Sequence, residues 1–255
     1  MNITEKLLES IQSDASVRQV LVGAFWTAVV LDTDPPRCGL ASTLRGVTHD
    51  EGSPVPRAGR LLERSGQELA ELLRSFGTLE ASIGMAAFNA LLEVDEAVCT
   101  EVNAEEVIVE RGTGRRVAIV GHFPFVERVR QTAAECWVVE MHPRPGDVPA
   151  GQAAEILPQA DVVALTGTSI INHTFDDLMR LCRPDAFVLL LGPSAPLSPV
   201  LFEAGVDGVS GTRVTDPERV LRSVGQGATF RQIKRAGGLR LLTRVERRDV
   251  KRENF

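Results

Sequence analysis

The sequence predicts an α/β protein in which a small α+β unit precedes a Rossmann-like, doubly wound parallel sheet. Three observations carry that expectation. Residues 117–120, 137–139, 162–165 and 187–191 are continuous apolar runs. Segments of helical length, such as residues 125–134 and 175–181, lie between them, and fully apolar strands alternating with helices mean a parallel sheet covered on both faces. The chain is 44% hydrophobic but only 5% aromatic and has no tyrosine, so its core comes from Val, Leu, Ile and Ala, which suits that architecture.

The N-terminal half reads as the α+β unit. Residues 4–11 have helical spacing at Leu7, Leu8 and Ile11, with Thr4 as the expected N-cap. Residues 17–31 are rich in β-branched side chains and broken by Gly23, which fits one strand or a hairpin. Asp34-Pro35-Pro36-Arg37 is a turn, residues 38–44 a short strand, and residues 46–56 a loop. Residues 60–73 fit two helices meeting at an angle, because Ser65-Gly66-Gln67-Glu68 is a capping box in the middle. Residues 79–92 form a further helix with an apolar stripe at Ile83, Ala86, Ala87 and Ala90.

Residues 93–114 are acidic, weakly patterned and end in Arg111-Gly112-Thr113-Gly114. That stretch is the expected boundary, giving domains at 1–105 and 115–255. In the second domain a shorter fifth strand is expected over residues 205–209.

Composition narrows the classes of function. No apolar run approaches the roughly 18 residues that cross a bilayer, and the N-terminus is not a signal peptide, so a cytoplasmic protein without a membrane partner is expected. Cys38, Cys99, Cys136 and Cys182 form no C-x-x-C pair, which excludes a zinc knuckle and fits a reducing compartment. The net charge of −6 argues against nucleic acid as a partner. Charge is uneven, however: from Arg231 onward nine Lys or Arg face three acids, while 19 basic and 31 acidic side chains precede them. The basic end reads as a surface segment that packs or frays, with a phosphate- or nucleic-acid-binding role as the alternative.

In a doubly wound sheet, ligands bind beyond the carboxyl ends of the strands. Gly121, His122, Phe123 and Pro124 follow the first apolar run, and Glu140, Met141 and His142 follow the second. Thr166, Gly167, Thr168, Ser169, Asn172 and His173 follow the third; Gly192, Pro193, Ser194 and Ser198 follow the fourth. Glu140 stands 19 residues after Gly121, where a dinucleotide-binding domain places its ribose acid; a solvated strand-end acid fits equally. Gly121-His122-Phe123-Pro124-Phe125-Val126 lacks the G-x-G-x-x-G cradle. The loops from Thr166 to Ser169 and Gly192 to Ser198 offer backbone N–H groups and hydroxyls to an anion.

His122, His142 and His173 all fall in these loops, which is compatible with a metal site that takes Glu140 as an oxygen ligand, although loop histidines can equally face solvent. In the first half Trp26, Ser42, His49 and Asn89 are polar or amphipathic residues in apolar surroundings. Asn89, on a helix expected to be buried, either caps a backbone group or reaches into an interdomain cleft. No Ser–His–Asp triad, Walker loop or zinc-hydrolase motif is present.

Several of these segments recur in one family. They are Ser82-Ile83-Gly84-Met85-Ala86 with Asn89-Ala90, Val120-Gly121-His122-Phe123-Pro124, Glu140 followed by Pro143-Arg144-Pro145-Gly146-Asp147, and Thr166-Gly167-Thr168 with Asn172 and Thr174. The longest is Leu191-Gly192-Pro193-Ser194-Ala195-Pro196-Leu197, continuing to Gly205-Val206-Asp207 and Gly211. In this order they make the chain resemble the heavy-metal-chelation family of prokaryotic proteins, along nearly its whole length. The resemblance implies a domain like the enolase N-terminal domain followed by the Rossmann-like one, with the site in the cleft between them.

It also implies a metal or small-molecule partner: a transition metal or a metal-containing cofactor. The expected ligand-binding residues are Gly121, His122, Glu140, Thr166, Gly167, Thr168, Asn172, Gly192, Pro193, Ser194 and Asn89, with His122, Glu140 and His142 as the metal set. The alternative is a transferase or oxidoreductase using a nucleotide-type cofactor at the same strand ends. Homo-oligomerisation is left open.

Overall fold

The computed structural model describes residues 1–46 and 53–246. His49, part of the loop expected over residues 46–56, and the basic residues from Arg247 onward lie outside the described residues.

The first sheet is antiparallel and three-stranded, in the order β1 (Val17–Val22), β2 (Trp26–Leu31), β3 (Arg37–Ser42). Gly23 to Phe25 make the turn of the expected hairpin. Helix Ile3–Glu9 is capped two residues ahead of the expected position. Asn2, not Thr4, accepts the N–H of Glu5, and Thr4 is buried inside the helix. The capping box forms as expected, with Ser65 and Glu68 bonding each other's backbone at the start of helix Gly66–Ala70. Helix Thr78–Leu91 lies along β2 and β3 with Ala81 to Phe88 fully buried.

The second sheet has seven strands: β4 (Arg116–Val120), β5 (Glu135–Glu140), β6 (Val148–Pro149), β7 (Val162–Thr166), β8 (Phe187–Leu191), β9 (Gly208–Val214) and β10 (Leu239–Val245). Their order is β10-β9-β8-β7-β4-β5-β6, parallel throughout except for the antiparallel β9–β10 pair. The chain moves outward from β4 through β5 to β6, then returns to build β7, β8 and β9 on the other side. The order therefore reverses between β4 and β7, and the connections leave that point in opposite directions.

Val117, Ala118 and Ile119 of β4 and Val162 to Leu165 of β7 are wholly buried, so both faces of the central strands are covered. Helix Ala104–Gly112 covers one of them and buries Ala104, Val107 and Ile108 against Val117, Val162 and Leu189. That helix lies in the second half of the weakly patterned stretch over residues 93–114. On the opposite face a continuous apolar cluster runs from Leu7, Leu73 and Phe88 to Ala118, Val163 and Leu165. The small sheet is thereby packed onto the large one. Among the described residues, no helix is long and apolar enough to cross a membrane.

Candidate functional site

A cavity of about 910 Å³ opens where the carboxyl ends of β4, β5, β7, β8 and β9 face the end of the small sheet. Such a volume suits a small organic molecule. Trp26 and Ser42, register partners at one end of β2 and β3, close one side of it. Of the expected ligand-binding residues, Gly121, His122, Glu140, Thr166 to Thr168, Asn172 and Gly192 to Ser194 line it. Asn89 does not: its amide donates to Leu40 O at 3.0 Å, so it satisfies a strand carbonyl.

Each loop has a local reason for its shape. Gly192 leaves β8 with φ +110°, a conformation that side-chain-bearing residues avoid. Gly167 passes so close to the next loop that a Cβ would lie 2.4 Å from Ala195 N. Thr166 and Thr168 bond through their hydroxyls at 2.9 Å, and Ser169 Oγ donates to Thr166 O at 2.7 Å. Asn172 ends the short helix Thr168–Ile171, with its amide nitrogen donating to Ser169 O at 3.0 Å and Thr174 Oγ1 at 2.8 Å. Most of these polar groups hold the loops rather than face the cavity empty-handed.

The three loop histidines do not converge. His122 lines the cavity. His142 is exposed and off the cavity wall, on a loop that a turn from Arg144 to Asp147 carries outward. His173, at φ +59°, points instead to the small sheet's side, where Nε2 lies 2.9 Å from Ser75 O and the ring packs on Phe76. Glu140 lines the cavity, with Oε2 accepting the N–H of Met141 at 3.0 Å.

Among the described residues, no three His, Cys, Asp or Glu side chains are grouped to hold a metal ion. The expected set of His122, Glu140 and His142 thus loses its third member. Nor do the cysteines supply one, for all four lie off the cavity wall. Burial pushes the Cys38 thiol up to about 12 and that of Cys136 up to about 11, away from the thiolate form that binds metals. A bare ion held by protein side chains alone does not fit this donor set.

His122 has a neighbour that the strand-end reading missed. The Asp147 side chain, 2% exposed, sits 3.4 Å from His122 Nδ1 and 3.6 Å from Arg130 Nη2, and accepts the N–H of Arg144 at 3.0 Å. Nδ1 itself is buried and has no hydrogen bond of good geometry. A carboxylate this close favours a proton on Nδ1, which leaves the other ring nitrogen with its lone pair free.

Other wall residues come from places that the strand pattern does not reach. Helix Phe230–Ala236 contributes Phe230, Arg231 and Lys234, and β9 contributes Ser210, Gly211 and Thr212. The start of the basic segment thus borders the cavity.

Fold and cavity together define an α/β protein in which the strand ends of a mostly parallel sheet open onto a cavity. The family model described as "Putative heavy-metal chelation" (DUF364) matches residues 103–243, and a second model of the same description (DUF4213) matches residues 4–92. The chain belongs to that family.

An uncharacterized protein of Methanocaldococcus jannaschii is 23% identical over 223 residues, which is 84% of this chain and 85% of that protein. A DUF364-family protein of unknown function from Desulfitobacterium hafniense has a crystal structure that superposes with a TM-score of 0.81 at 26% identity, covering 96% of this chain and 98% of that one. Another, from Pyrococcus horikoshii, gives 0.78 at 21% identity with the same coverage and shows the shared fold alone.

Proposed function

We propose that this protein binds a metal as a small-molecule complex, in the cleft between the proposed domains at 1–105 and 115–255. The observation that carries the reading is the mismatch between the space and the donors. The cavity has room for an organic ligand, while its wall offers one imidazole, His122, and one carboxylate not held by an arginine, Glu140. A metal with two protein donors keeps positions that a small-molecule chelator fills. The family description supports metal binding; the cavity supports the organic part. Thr166, Gly167, Thr168, Asn172, Gly192, Pro193 and Ser194 would surround that part.

The test is metal retention through gel filtration by protein prepared without chelators or an affinity tag. The reading expects His122→Ala and Glu140→Ala to lose the metal while keeping the wild-type circular dichroism. Undiminished retention in both variants would remove these residues from the site.

A second reading, an enzyme with a nucleotide-type cofactor, draws on Glu140, which closes β5 beside the reversal in strand order and lines the cavity. Nucleotides and adenosyl cofactors at about a hundred times their dissociation constant would then stabilise the protein by roughly 2.7 kcal/mol. No thermal shift with any of them counts against it.

A further inference from the structure

We infer that the mouth of the cavity is an anion-recognition subsite, formed by Arg231 and Lys234 over an aromatic floor of Trp26 and Phe230. It takes the carboxylate or phosphoryl groups of the bound molecule. The inference rests on the reading of the cavity as the ligand site and adds the chemical class of the ligand.

Charge at the cavity mouth favours an anion. Glu105 and Asp177 on the cavity wall are already paired with arginines, Arg128 at 2.9 Å and Arg180 respectively. Glu140 accepts a backbone N–H. Arg231 and Lys234 are exposed on the wall, and neither takes part in an ion pair among the described residues. Two cations without an ion pair against one such carboxylate, Glu140, leave the wall net positive, although the chain as a whole carries −6. A cleft lined by one sign of charge between low-dielectric walls concentrates the opposite charge.

Arg231 and Lys234 are also held in place. The helix carrying these residues is fixed at its start by a capping box of Thr229 and Gln232. Buried Ile233 anchors it to the small sheet's outer cluster, with Ala28, Val30 and Val220. Phe230, Arg231 and Lys234 share the remaining face, since residues three and four apart are neighbours on a helix. Phe230 packs on Trp26 with ring centroids 5.4 Å apart.

Beside them lies an orphan donor. Trp26 Nε1 is buried without a hydrogen-bond partner, on a residue that lines the cavity. A buried N–H of this kind normally has an acceptor. An oxygen of an anionic ligand would supply one once the Trp26 ring turns enough to bring Nε1 to the cavity surface. Trp26 and the helix carrying Arg231 and Lys234 thus meet on one wall of the cavity, from two separate parts of the chain.

Titration calorimetry with metal-free citrate and metal-free pyrophosphate tests the subsite on the full chain. At least one binds, with affinity that falls as salt rises. Citrate alone identifies carboxylate chemistry and pyrophosphate alone phosphoryl chemistry. Arg231→Gln and Lys234→Gln each weaken binding about tenfold, as expected for one lost charge-assisted hydrogen bond.

In a Trp137→Phe background the remaining fluorescence comes from Trp26, and it shifts on binding. Failure of both anions to bind at millimolar concentration overturns the inference. So does unchanged affinity in the double variant. Anion binding that needs Arg231 and Lys234 in a protein that retains no metal upholds the subsite and sinks the metal reading; metal retention with the double variant's anion affinity unchanged does the reverse.

Discussion

Ser194 Oγ accepts the backbone N–H of Ser42 at 2.8 Å and donates to Ser42 Oγ at 3.0 Å, joining the loop after β8 to the last residue of β3. Both residues line the cavity, so one pair of hydrogen bonds fixes the distance between its two walls. Ser194 is 2% exposed, and water does not replace it easily. Ser194→Ala leaves the Ser42 N–H without its acceptor, which costs about 1–3 kcal/mol. The check is a urea melt: a lower midpoint with an unchanged slope confirms the loss. An unchanged midpoint would mean that the joint between the sheets does not depend on this contact.

Asp147 lies beside His122 and off the cavity wall. Its carboxylate is buried beside Nδ1 and held by Arg130 and the Arg144 N–H. Asp147→Asn keeps the shape but removes the charge that orients the ring. Partners of this kind contribute about 10–100-fold to metal affinity. Metal retention in this variant is expected to fall by at least about tenfold with the melting temperature nearly unchanged. Equal retention would leave Asp147 as a loop-closing residue only.

Asp161 links the starts of β4, β7 and β8. The Arg116 side chain and its N–H, followed by the Arg183 charge, hold its carboxyl at about 2, below the ordinary 3.8. A lowered folded value means stability that is present above about 4 and lost as pH falls towards about 2. Water screens the pair, whose side chains are 41% and 26% exposed, so the gain at neutral pH is roughly 1 kcal/mol. Asp161→Asn should be less stable than wild type at neutral pH, with the gap closing across that acidic window. Urea midpoints at several pH values measure it, and a gap independent of pH would contradict the ion-pair account.

Cys38 is buried in β3, with its thiol pushed up to about 12 by burial. Iodoacetamide should therefore label it only after unfolding, because the thiolate is the nucleophile. Mass spectrometry of native and urea-treated samples distinguishes the two states. Labelling of Cys38 in the native protein would show that the small sheet opens.

The central strands were legible because burial on both faces leaves unbroken apolar runs, as in Val162 to Leu165. Ser65 and Glu68 announced their helix through spacing alone. The edges were not legible. β10 alternates leucine with arginine and threonine, which reads as a basic surface segment until β9 pairs with it. β9 carries Ser210, Gly211 and Thr212, so its expected position at 205–209 lies several residues early. β6 is only two residues long. Helix Ala104–Gly112 buries a narrow stripe among glutamates, too little for periodicity to reveal.

The strand-end half of the cavity was visible for the same reason as the strands: the sheet dictates where its loops converge. The other half was not. Trp26 lies about two hundred residues from Phe230 in the chain, and no local pattern joins them. The histidines misled because loop position alone does not say which way a ring turns; His173 serves Ser75, and His142 faces solvent.

Native mass spectrometry of the wild-type protein, prepared without chelators or an affinity tag, tests the central claim most directly. The account predicts a bound species heavier than any metal ion alone, containing one metal by elemental analysis and an organic ligand, and absent from His122→Ala. A bare metal ion retained at full stoichiometry, or no metal in any preparation, would contradict it.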